Sequence, residues 1–522
     1  MSFKVNIEHY QRSLFGVWNQ IPESKRKMLE NSKEAKFYDI VFTNIDEMLF
    51  SVLYNEKNGR PNAPVNTLVG AIILQNHNGW TCQELFNNLD FNILVRVALG
   101  IDTINESPFC PATFFNFQNR LLNHYNTTEE NLLERVFDGL TESQIKELGL
   151  KTDICRSDSF QAMSNIAKYS RMQLLVEVLI RLNRILIEDD KKLFSEILEP
   201  YIKQESHHYL YNLKRGDIPA ELDKIAIIYQ KLYECLKDKY IETEVFKIFM
   251  RVYEEHFKVA GNQILIKASE ELTSGCLQSP DDIAATYRLK KGKKFKGQVI
   301  NICETANPEN AINLINDVVV EKNNKDDSVI LNDRIETIKD KNPDLNELHT
   351  DGAYGSVDND KKMKELEINH IPTAVRGRSC EVEITIKQID EGKYKVSCEG
   401  GQSVISTKAR KKEKACFDNK ICESCPFTDK CSTQKQKKSR VFYFTYEDCK
   451  KNERNRKIKE LPPERRKIRP NIEATVKEFT KAFNHKGKLK VRGFFKTSLY
   501  ATASAIGINF GRIFRYQAAF ST

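Results

Sequence analysis

The chain has 522 residues, of which 40% are hydrophobic and 29% are charged, and its formal net charge is +9. The length predicts two to four domains, and the longest apolar runs, at 68–74 and 174–180, are too short to cross a bilayer, so a membrane-spanning protein is excluded. Because the N-terminus lacks an export signal and most of the 13 cysteines are scattered singly, we expect a reduced cytoplasmic protein and no disulfide framework.

Residues 1–145 predict a helical domain. Apolar residues recur at spacings of three and four through 64–101, with a break at 76–79, and 107–125 has the pattern of a capped turn entering another helix. Small helices joined by tight turns are a common plan among DNA-binding domains. This plan suits a DNA-binding domain at 1–145, but it also occurs in other helical domains, so the helical pattern alone is weak evidence for DNA binding.

Strand and helix patterns alternate between 150 and 375. A first strand is predicted at 151–160, a long helical insertion at about 165–270, and two more strands at 297–305 and 311–323. The remaining elements follow as a helix near 328–340, a strand ending before Asp351, a helix near 357–367 and a strand at 370–375. This order predicts a mixed α/β fold with three consecutive antiparallel strands, followed by strands reached through helices.

A second insertion is predicted at 376–465. It begins with short alternating stretches at 380–405, typical of small antiparallel strands, and continues into a basic block, 408–469, with 21 Lys and Arg against nine Asp and Glu. Such a block suits either a polyanion such as DNA or a solvated charged surface. Residues 466–522 then return to the α/β core, with a helix from 470 to about 484 and a last apolar helix near 497–515.

Three acidic residues occupy comparable positions in this skeleton. Asp158 is predicted to end the first strand, Asp351 follows the fourth strand, and Glu473 lies in the first turn of the helix after 470. If the first and fourth strands are neighbours, the three carboxylates converge at one end of the sheet. Clustered carboxylates repel one another unless a cation separates them, and a pair of Mg²⁺ ions in such a site suits in-line displacement at a phosphodiester.

Each of these acids also has an ordinary structural interpretation. Asp351 precedes a glycine, as in many turns, and Glu473 could simply favour a helix N-terminus. Asp153 competes with Asp158 within the first strand.

A cluster of cysteines lies inside the basic block. Cys416, Cys422, Cys425 and Cys431 have the spacing C-x5-C-x2-C-x5-C, which predicts a closed tetrahedral zinc site. An iron–sulfur cluster and unliganded thiols remain as alternatives. The chain contains no Gly-Lys-Ser/Thr phosphate-binding loop, so no ATP is expected.

In order and spacing, these features resemble the bacterial insertion-sequence transposases of the DDE type, whose catalytic core is ribonuclease-H-like. The resemblance covers most of the chain and is carried by PVNTLVGAIILQNHNG and the residues after it (64–100), RSDSFQAMSNI (156–166), HTDGAYGS (349–356) and RPNIEATVKEFTKAFNHKGKLKVRGFFK (469–496). It implies a ribonuclease-H-like core with a helical N-terminal domain, a helical insertion and a small β-rich insertion with the cysteine cluster.

The resemblance also implies roles for individual residues. Asp158, Asp351 and Glu473 become the catalytic, metal-binding triad for two Mg²⁺ ions, for which Mn²⁺ can substitute. The family pattern around the Glu is Tyr, two residues, Arg, three residues, Glu, six residues, Lys; Arg469 matches it, whereas Arg466 and Thr480 stand at the Tyr and Lys positions. Arg469, Lys477 and Lys481 are the implied DNA contacts.

The implied activity is that of a DNA transposase, which cleaves the ends of an insertion sequence and joins them to target DNA by hydrolysis and transesterification. Its partners would be the terminal inverted repeats, the target DNA and a second copy of the chain, in the bacterial cytoplasm at the nucleoid. Two alternatives stay open: a nuclease of the same fold that only hydrolyses, and a catalytically inactive or domesticated sequence-specific DNA-binding protein.

Overall fold

The structure is a computed structural model that describes residues 1–10, 16–55, 59–103, 107–261, 263–375, 382–390 and 392–520. The start of the strands predicted at 380–405 lies outside the described residues. Among the residues described, no helix is both long enough and apolar enough to cross a bilayer.

The N-terminal region is helical, as predicted. Its helices are α1 (Val17–Gln20), α2 (Glu23–Glu30), α3 (Lys33–Ile40), α4 (Val65–Asn78), α5 (Cys82–Phe91), α6 (Ile93–Ala98), α7 (Pro111–Thr128) and α8 (Leu132–Glu147). The break predicted at 76–79 is the end of α4, after which Thr81 caps α5 through a reciprocal pair of hydrogen bonds with Glu84. Apolar faces of α3 to α8 join the hydrophobic core that also covers one face of the sheet, whereas α1 and α2 pack in a small separate cluster around Leu29.

The first strand, β1 (Ile154–Met163), is followed by the predicted helical insertion. This insertion contains α9 (Arg171–Ile185), α10 (Glu188–Ile202), α11 (Ser206–Asn212), α12 (Ile218–Tyr240), α13 (Glu244–His256) and the hairpin of β2 (Phe257–Ala260) and β3 (Gln263–Ile266). It packs around a hydrophobic core of its own, centred on residues such as Leu179, Tyr229 and Phe249.

The sheet is completed by the elements between 286 and 372. These are β4 (Thr286–Lys290), β5 (Lys293–Thr305), β6 (Ile315–Lys322), α14 (Asp327–Lys341), β7 (Glu347–Thr350), α15 (Val357–Glu365) and β8 (Asn369–Pro372). The strand order is β4-β5-β1-β7-β8, with β6 also paired to β5. β1, β5 and β6 are antiparallel neighbours, whereas β7 and β8 run parallel to β1, so the predicted mixed α/β arrangement is confirmed.

The second insertion forms two small sheets. One joins β9 (Ile384–Asp390), β10 (Lys393–Cys398) and β11 (Ser403–Ile405); the other joins β12 (Thr407–Ala409), β13 (Lys412–Asp418), β14 (Gln434–Lys435) and β15 (Ser439–Phe444). Helices α16 (Asn419–Glu423) and α17 (Tyr446–Glu460) accompany them. Asn452 on α17 donates to the Ile384 carbonyl at 2.6 Å and accepts from the Ile386 amide at 3.0 Å, which holds α17 on β9.

The chain ends with α18 (Pro463–Arg466), α19 (Ile472–Thr480) and α20 (Phe494–Phe520). The long α20 lies between the sheet and the N-terminal helices. Its Asn509 amide exchanges two hydrogen bonds of 2.8 Å with the backbone of Ile315 on β6, and its Phe510 ring packs edge-on against Phe37 of α3. One core therefore joins the first helices, the sheet and the last helix.

A buried charge network fastens α19 to the sheet. Glu304 on β5 is fully buried and accepts hydrogen bonds from Arg156 on β1 and Arg512 on α20, both at 2.7 Å, and from Thr475 on α19 at 2.8 Å. Arg156 also donates to the carbonyl of Ile468, just before α19, at 3.0 Å. Charge-assisted hydrogen bonds are directional, so this network fixes where α19 sits along the strands.

Glu304→Gln keeps the side-chain size but leaves Arg156 in the interior without an ion-pair partner, whereas Arg512 keeps Glu478 at 2.9 Å. Removing one partner of a buried ion pair costs about 3–5 kcal/mol, and we expect a loss of about that size in the free energy of unfolding, measured by urea denaturation followed by circular dichroism. The control is Glu196→Gln, at an exposed position on α10, which should change the free energy by less than about 0.5 kcal/mol. Equal stability of the two variants would show that the network does not hold α19.

Candidate active site

Asp158 and Asp351 lie side by side on neighbouring strands. In the parallel pairing of β1 with β7, Arg156 stands opposite His349; Asp158 lies two residues further along β1, and Asp351 lies two residues after His349. Asp351 directly follows β7, as predicted. The prediction that Asp158 ends the first strand is wrong: β1 continues to Met163, because β5 pairs with it past the point where β7 stops.

Arg469 brings Glu473 to this pair. Its Nη2 donates to Oδ2 of Asp158 at 2.6 Å, and its Nη1 donates to Oε1 of Glu473 at 3.2 Å. The two carboxylates therefore face one guanidinium, although Glu473 is 65% exposed and Asp158 is buried. Arg469, which the resemblance implied as a DNA contact, is here engaged by two of the three predicted acids.

The surroundings of Asp158 disfavour an unbalanced negative charge. Burial raises the pKa of Asp158 above its ordinary value, and the nearby charge of Asp351 raises it further. Arg469 and the backbone N–H of Ser159, which donates to Oδ1 at 2.9 Å, act in the opposite direction. The pair of aspartates thus calls for positive charge, and the guanidinium supplies it in this structure.

This donor set fits a divalent cation. Asp158, Asp351 and Glu473 offer the hard carboxylate oxygens that Mg²⁺ prefers, and Asp158 and Glu473 already converge on a positive group. Within the described ranges, no three His, Cys, Asp or Glu side chains stand in a ready metal-binding arrangement. Binding would therefore require Arg469 to leave Asp158 and the exposed Glu473 side chain to turn towards it.

Other predicted residues lie near this centre or away from it. Lys477 is exposed in the last turn of α19, and Lys481 is exposed directly after its C-terminal end. Arg466 donates to the backbone carbonyls of Lys459 and Leu461, at the end of α17. Asp153 accepts from Asn307 at 2.7 Å before β1 begins, five residues from Asp158 and towards the opposite end of the strand.

A fourth carboxylate lies behind the site and was missed from the sequence. Asp327, the buried first residue of α14, accepts a hydrogen bond of 2.6 Å from Ser159, the neighbour of Asp158 on β1. Tyr354 is buried beside Asp327 and Asp158. Burial raises the pKa of Tyr354, and the charges of the two aspartates raise it further. An acid at a predicted helix start looks ordinary in sequence, so no signal there distinguishes Asp327.

The structure brings together three of the four predicted cysteines and adds another. Cys422, Cys425 and Cys431 line a small cavity with Cys398, the last residue of β10. Cys416 does not reach it, because Ala415 and Phe417 on β13 point into the core and the alternation of the strand turns Cys416 outward to solvent. Cys398 lies 24 residues before Cys422, outside the compact spacing that drew attention to the cluster.

A cavity of about 470 Å³, lined by both polar and apolar side chains, separates the N-terminal helices from the segment that leads into α20. Trp80, Gln75 and Asn76 line one side of it, and the cations Lys490, Arg492 and Lys496 are among the residues of the other. Lys490 donates to the carbonyl of Gly79 across the cavity.

Comparisons with known families agree with these features. A model described as "Transposase domain (DUF772)" matches residues 26–120, and one described as "Transposase DDE domain" matches residues 397–514, a span that contains Glu473 and the cavity cysteines. No match is found among curated proteins or solved structures. Both matched models describe transposase domains.

Together the two matches indicate, more closely, an insertion-sequence transposase of the DDE type, and they confirm the resemblance drawn from the sequence. Asp158 and Asp351 lie outside the matched ranges. Domains of this type generally use divalent metal ions such as Mg²⁺, and transposases act on DNA.

Added Mg²⁺ or Mn²⁺ should raise the melting temperature of the wild type but not of Asp158→Asn or Asp351→Asn, measured by scanning fluorimetry after chelator treatment. A cation at 100 times its Kd contributes about 2.7 kcal/mol. Asp153→Asn, whose acid lies outside the site, is the control and should keep the shift.

The metal-induced rise in melting temperature should depend on pH. Because the pKa of Asp158 is raised, the folded protein holds this proton more tightly than the unfolded chain does, so its contribution to metal-free stability falls as pH rises. Cation binding needs the ionised carboxylate, so the metal-induced rise should disappear as pH falls through that raised pKa. A metal-induced rise in melting temperature that persists in Asp158→Asn would contradict this site.

Proposed function

We propose that this transposase cleaves the ends of an insertion sequence and joins them to target DNA at a carboxylate site made by Asp158, Asp351 and Glu473. One observation carries the proposal: two aspartates at the same level of neighbouring parallel strands, with Glu473 joined to Asp158 through Arg469. Three carboxylates around one point suit phosphodiester chemistry, in which charge develops on both the attacking and the leaving oxygen.

We infer a ribonuclease-H-like core for this site. Support comes from the sheet, in which β5 pairs antiparallel with both β1 and β6, and β7 and β8 extend the sheet in parallel on the other side of β1. The DDE-domain match supports the same fold.

The acids of the chain would hold the cations, and Mg²⁺ or Mn²⁺ bound there would supply activation of the nucleophilic oxygen and stabilisation of the leaving oxygen. Asp158 and Asp351 are positioned by the strands, and Glu473 by α19. Arg469, once released from Asp158, is a rigid bidentate donor suited to a phosphate of the cleaved strand. No Ser, Cys or His nucleophile is required.

DNA would approach along the exposed cations beside this site. Lys477 and Lys481 lie on α19, and the cavity between α4 and the segment before α20 adds Lys490 and Lys496 with Trp80. The N-terminal helices and the basic block 408–469 would extend the contact to the terminal inverted repeats. Pairing of two ends by a homodimer, without ATP, in the cytoplasm at the nucleoid, belongs to the same proposal.

The decisive test is strand cleavage on labelled DNA that carries the sequences flanking the element. Wild type with Mg²⁺ or Mn²⁺ should cut at the boundary, and Asp158→Asn, Asp351→Asn and Glu473→Gln should each lose about 10³-fold in rate or more, since several kcal/mol of charge stabilisation disappear. Asp153→Asn is the control, and DNA binding by each variant is measured in parallel.

The other outcomes separate the alternatives. Cutting that survives Glu473→Gln would identify a different third acid. Cutting without strand joining would identify a nuclease, and binding without any cutting by the wild type would identify a DNA-binding protein.

Lys477→Ala and Lys481→Ala should weaken DNA binding uniformly across sequences. Removal of one lysine–phosphate interaction makes the plot of log affinity against log salt less steep by about 0.9, which fluorescence anisotropy at several salt concentrations can measure. Lys231→Ala, an exposed lysine on α12 in the helical insertion, is the charge-matched control. Unchanged slopes in the α19 variants would remove this helix from the DNA path.

A further inference from the structure

We propose that Cys398, Cys422, Cys425 and Cys431 form a structural zinc site and that Cys416 takes no part in it. The four cysteines line one cavity of about 20 Å³ inside the second insertion, and all four are half-buried. A space of this size suits a single ion. Nothing in this proposal depends on the chemistry at Asp158.

Two of the thiols face the same point of the backbone. A Cβ built on Gly400 would lie 2.8 Å from Sγ of Cys425 and 3.7 Å from Sγ of Cys398. Gly400 thus leaves room for two sulfurs that come from different elements, the end of β10 and the turn after α16.

The remaining two thiols receive hydrogen bonds from polar neighbours. Gln402 donates to Sγ of Cys422 at 3.2 Å, and Thr433 donates to Sγ of Cys431 at 3.2 Å. Donors of this kind orient metal-bound sulfurs and offset their negative charge. Arg440 also lines the cavity and would partly balance the net charge of −2 on a zinc ion with four thiolates.

Cys416 is excluded by strand geometry. Its neighbours Ala415 and Phe417 are buried in the small core of this insertion, so its own side chain points to the opposite face of β13. Bringing its sulfur to the cavity would require β13 to slip by one residue against β15, which would expose both neighbours.

Four thiolates select a soft or borderline cation with tetrahedral geometry, which is the preference of Zn²⁺ at sulfur distances of about 2.3 Å. Among the residues that the structure describes, no three such ligands already have that arrangement. The thiols would therefore draw inward on binding, which short rotations of half-buried side chains allow. The ion would join the β9–β11 sheet, through Cys398, to the segment that links β13 with β14.

The test is the zinc content of the purified full-length protein, measured by inductively coupled plasma mass spectrometry. We expect about one zinc ion per chain in the wild type and in Cys416→Ser, and a loss of at least tenfold in Cys398→Ser. Cobalt substitution should give the intense thiolate-to-metal absorption of a four-sulfur site in the first two proteins only. Iron in place of zinc, an absence of metal in the wild type, or loss of zinc in Cys416→Ser with retention in Cys398→Ser would overturn the proposal.

A second measurement does not depend on whether Cys398→Ser folds. The wild type is treated with iodoacetamide before and after a zinc chelator, and the alkylated cysteines are mapped by mass spectrometry. Cys416 should react at once, whereas Cys398, Cys422, Cys425 and Cys431 should become reactive together only after chelation. Early alkylation of Cys398 alongside Cys416 would contradict the assignment.

Discussion

The position of the Glu-bearing helix depends on one buried carboxylate. Glu304 lies under α19 and accepts hydrogen bonds from three side chains: its cross-strand neighbour Arg156, Thr475 on the helix itself and Arg512 on α20. Arg156 in turn donates to the backbone before α19. Apolar packing of Ile472 and Phe479 is non-directional and would tolerate a sliding helix. The ion network prevents such sliding, because its directional hydrogen bonds fix the position of α19 along the strands.

Arg469 gives the acidic centre its own counter-ion. Two carboxylates that belong to distant parts of the chain, 315 residues apart, are held on one guanidinium. An unpaired acid at the buried position of Asp158 would be costly, so this arrangement lets the folded chain keep a charged site in a partly desolvated place. The same contact keeps Glu473, otherwise exposed, near the sheet.

Much of the skeleton is readable from sequence because its elements have strong local patterns. The helix expected near 328–340 is α14, the strand before Asp351 is β7, and the last helix was found, although α20 extends further in both directions and α19 ends at Thr480, earlier than expected. The errors come from non-local pairing. β1 runs past Asp158 because β5, distant in sequence, supports it, and Cys398 reaches the cavity of the other cysteines from the end of β10, 24 residues before Cys422.

The residues of the candidate site also fall into those that the sequence predicts and those that only the fold reveals. Asp158, Asp351 and Glu473 could be named because of their order in the predicted strands and helices, together with the family resemblance, since none of the three is distinctive alone. Glu304 and Asp327 could not, since a strand acid and a helix-start acid are ordinary in sequence and gain meaning only from Arg156, Arg512 and Ser159 across the fold.

The sharing of one core by α20 and the first helices has a consequence for biosynthesis. The apolar faces of α3, α4 and α8 are covered by a helix that begins at Phe494, more than 400 residues after α4 ends. At synthesis rates of about 5–20 residues per second, those apolar faces stay uncovered for roughly 20–80 s until α20 is made. During that time the nascent chain exposes apolar surface. A truncated product that ends before α20 therefore lacks the helix that covers its N-terminal helices.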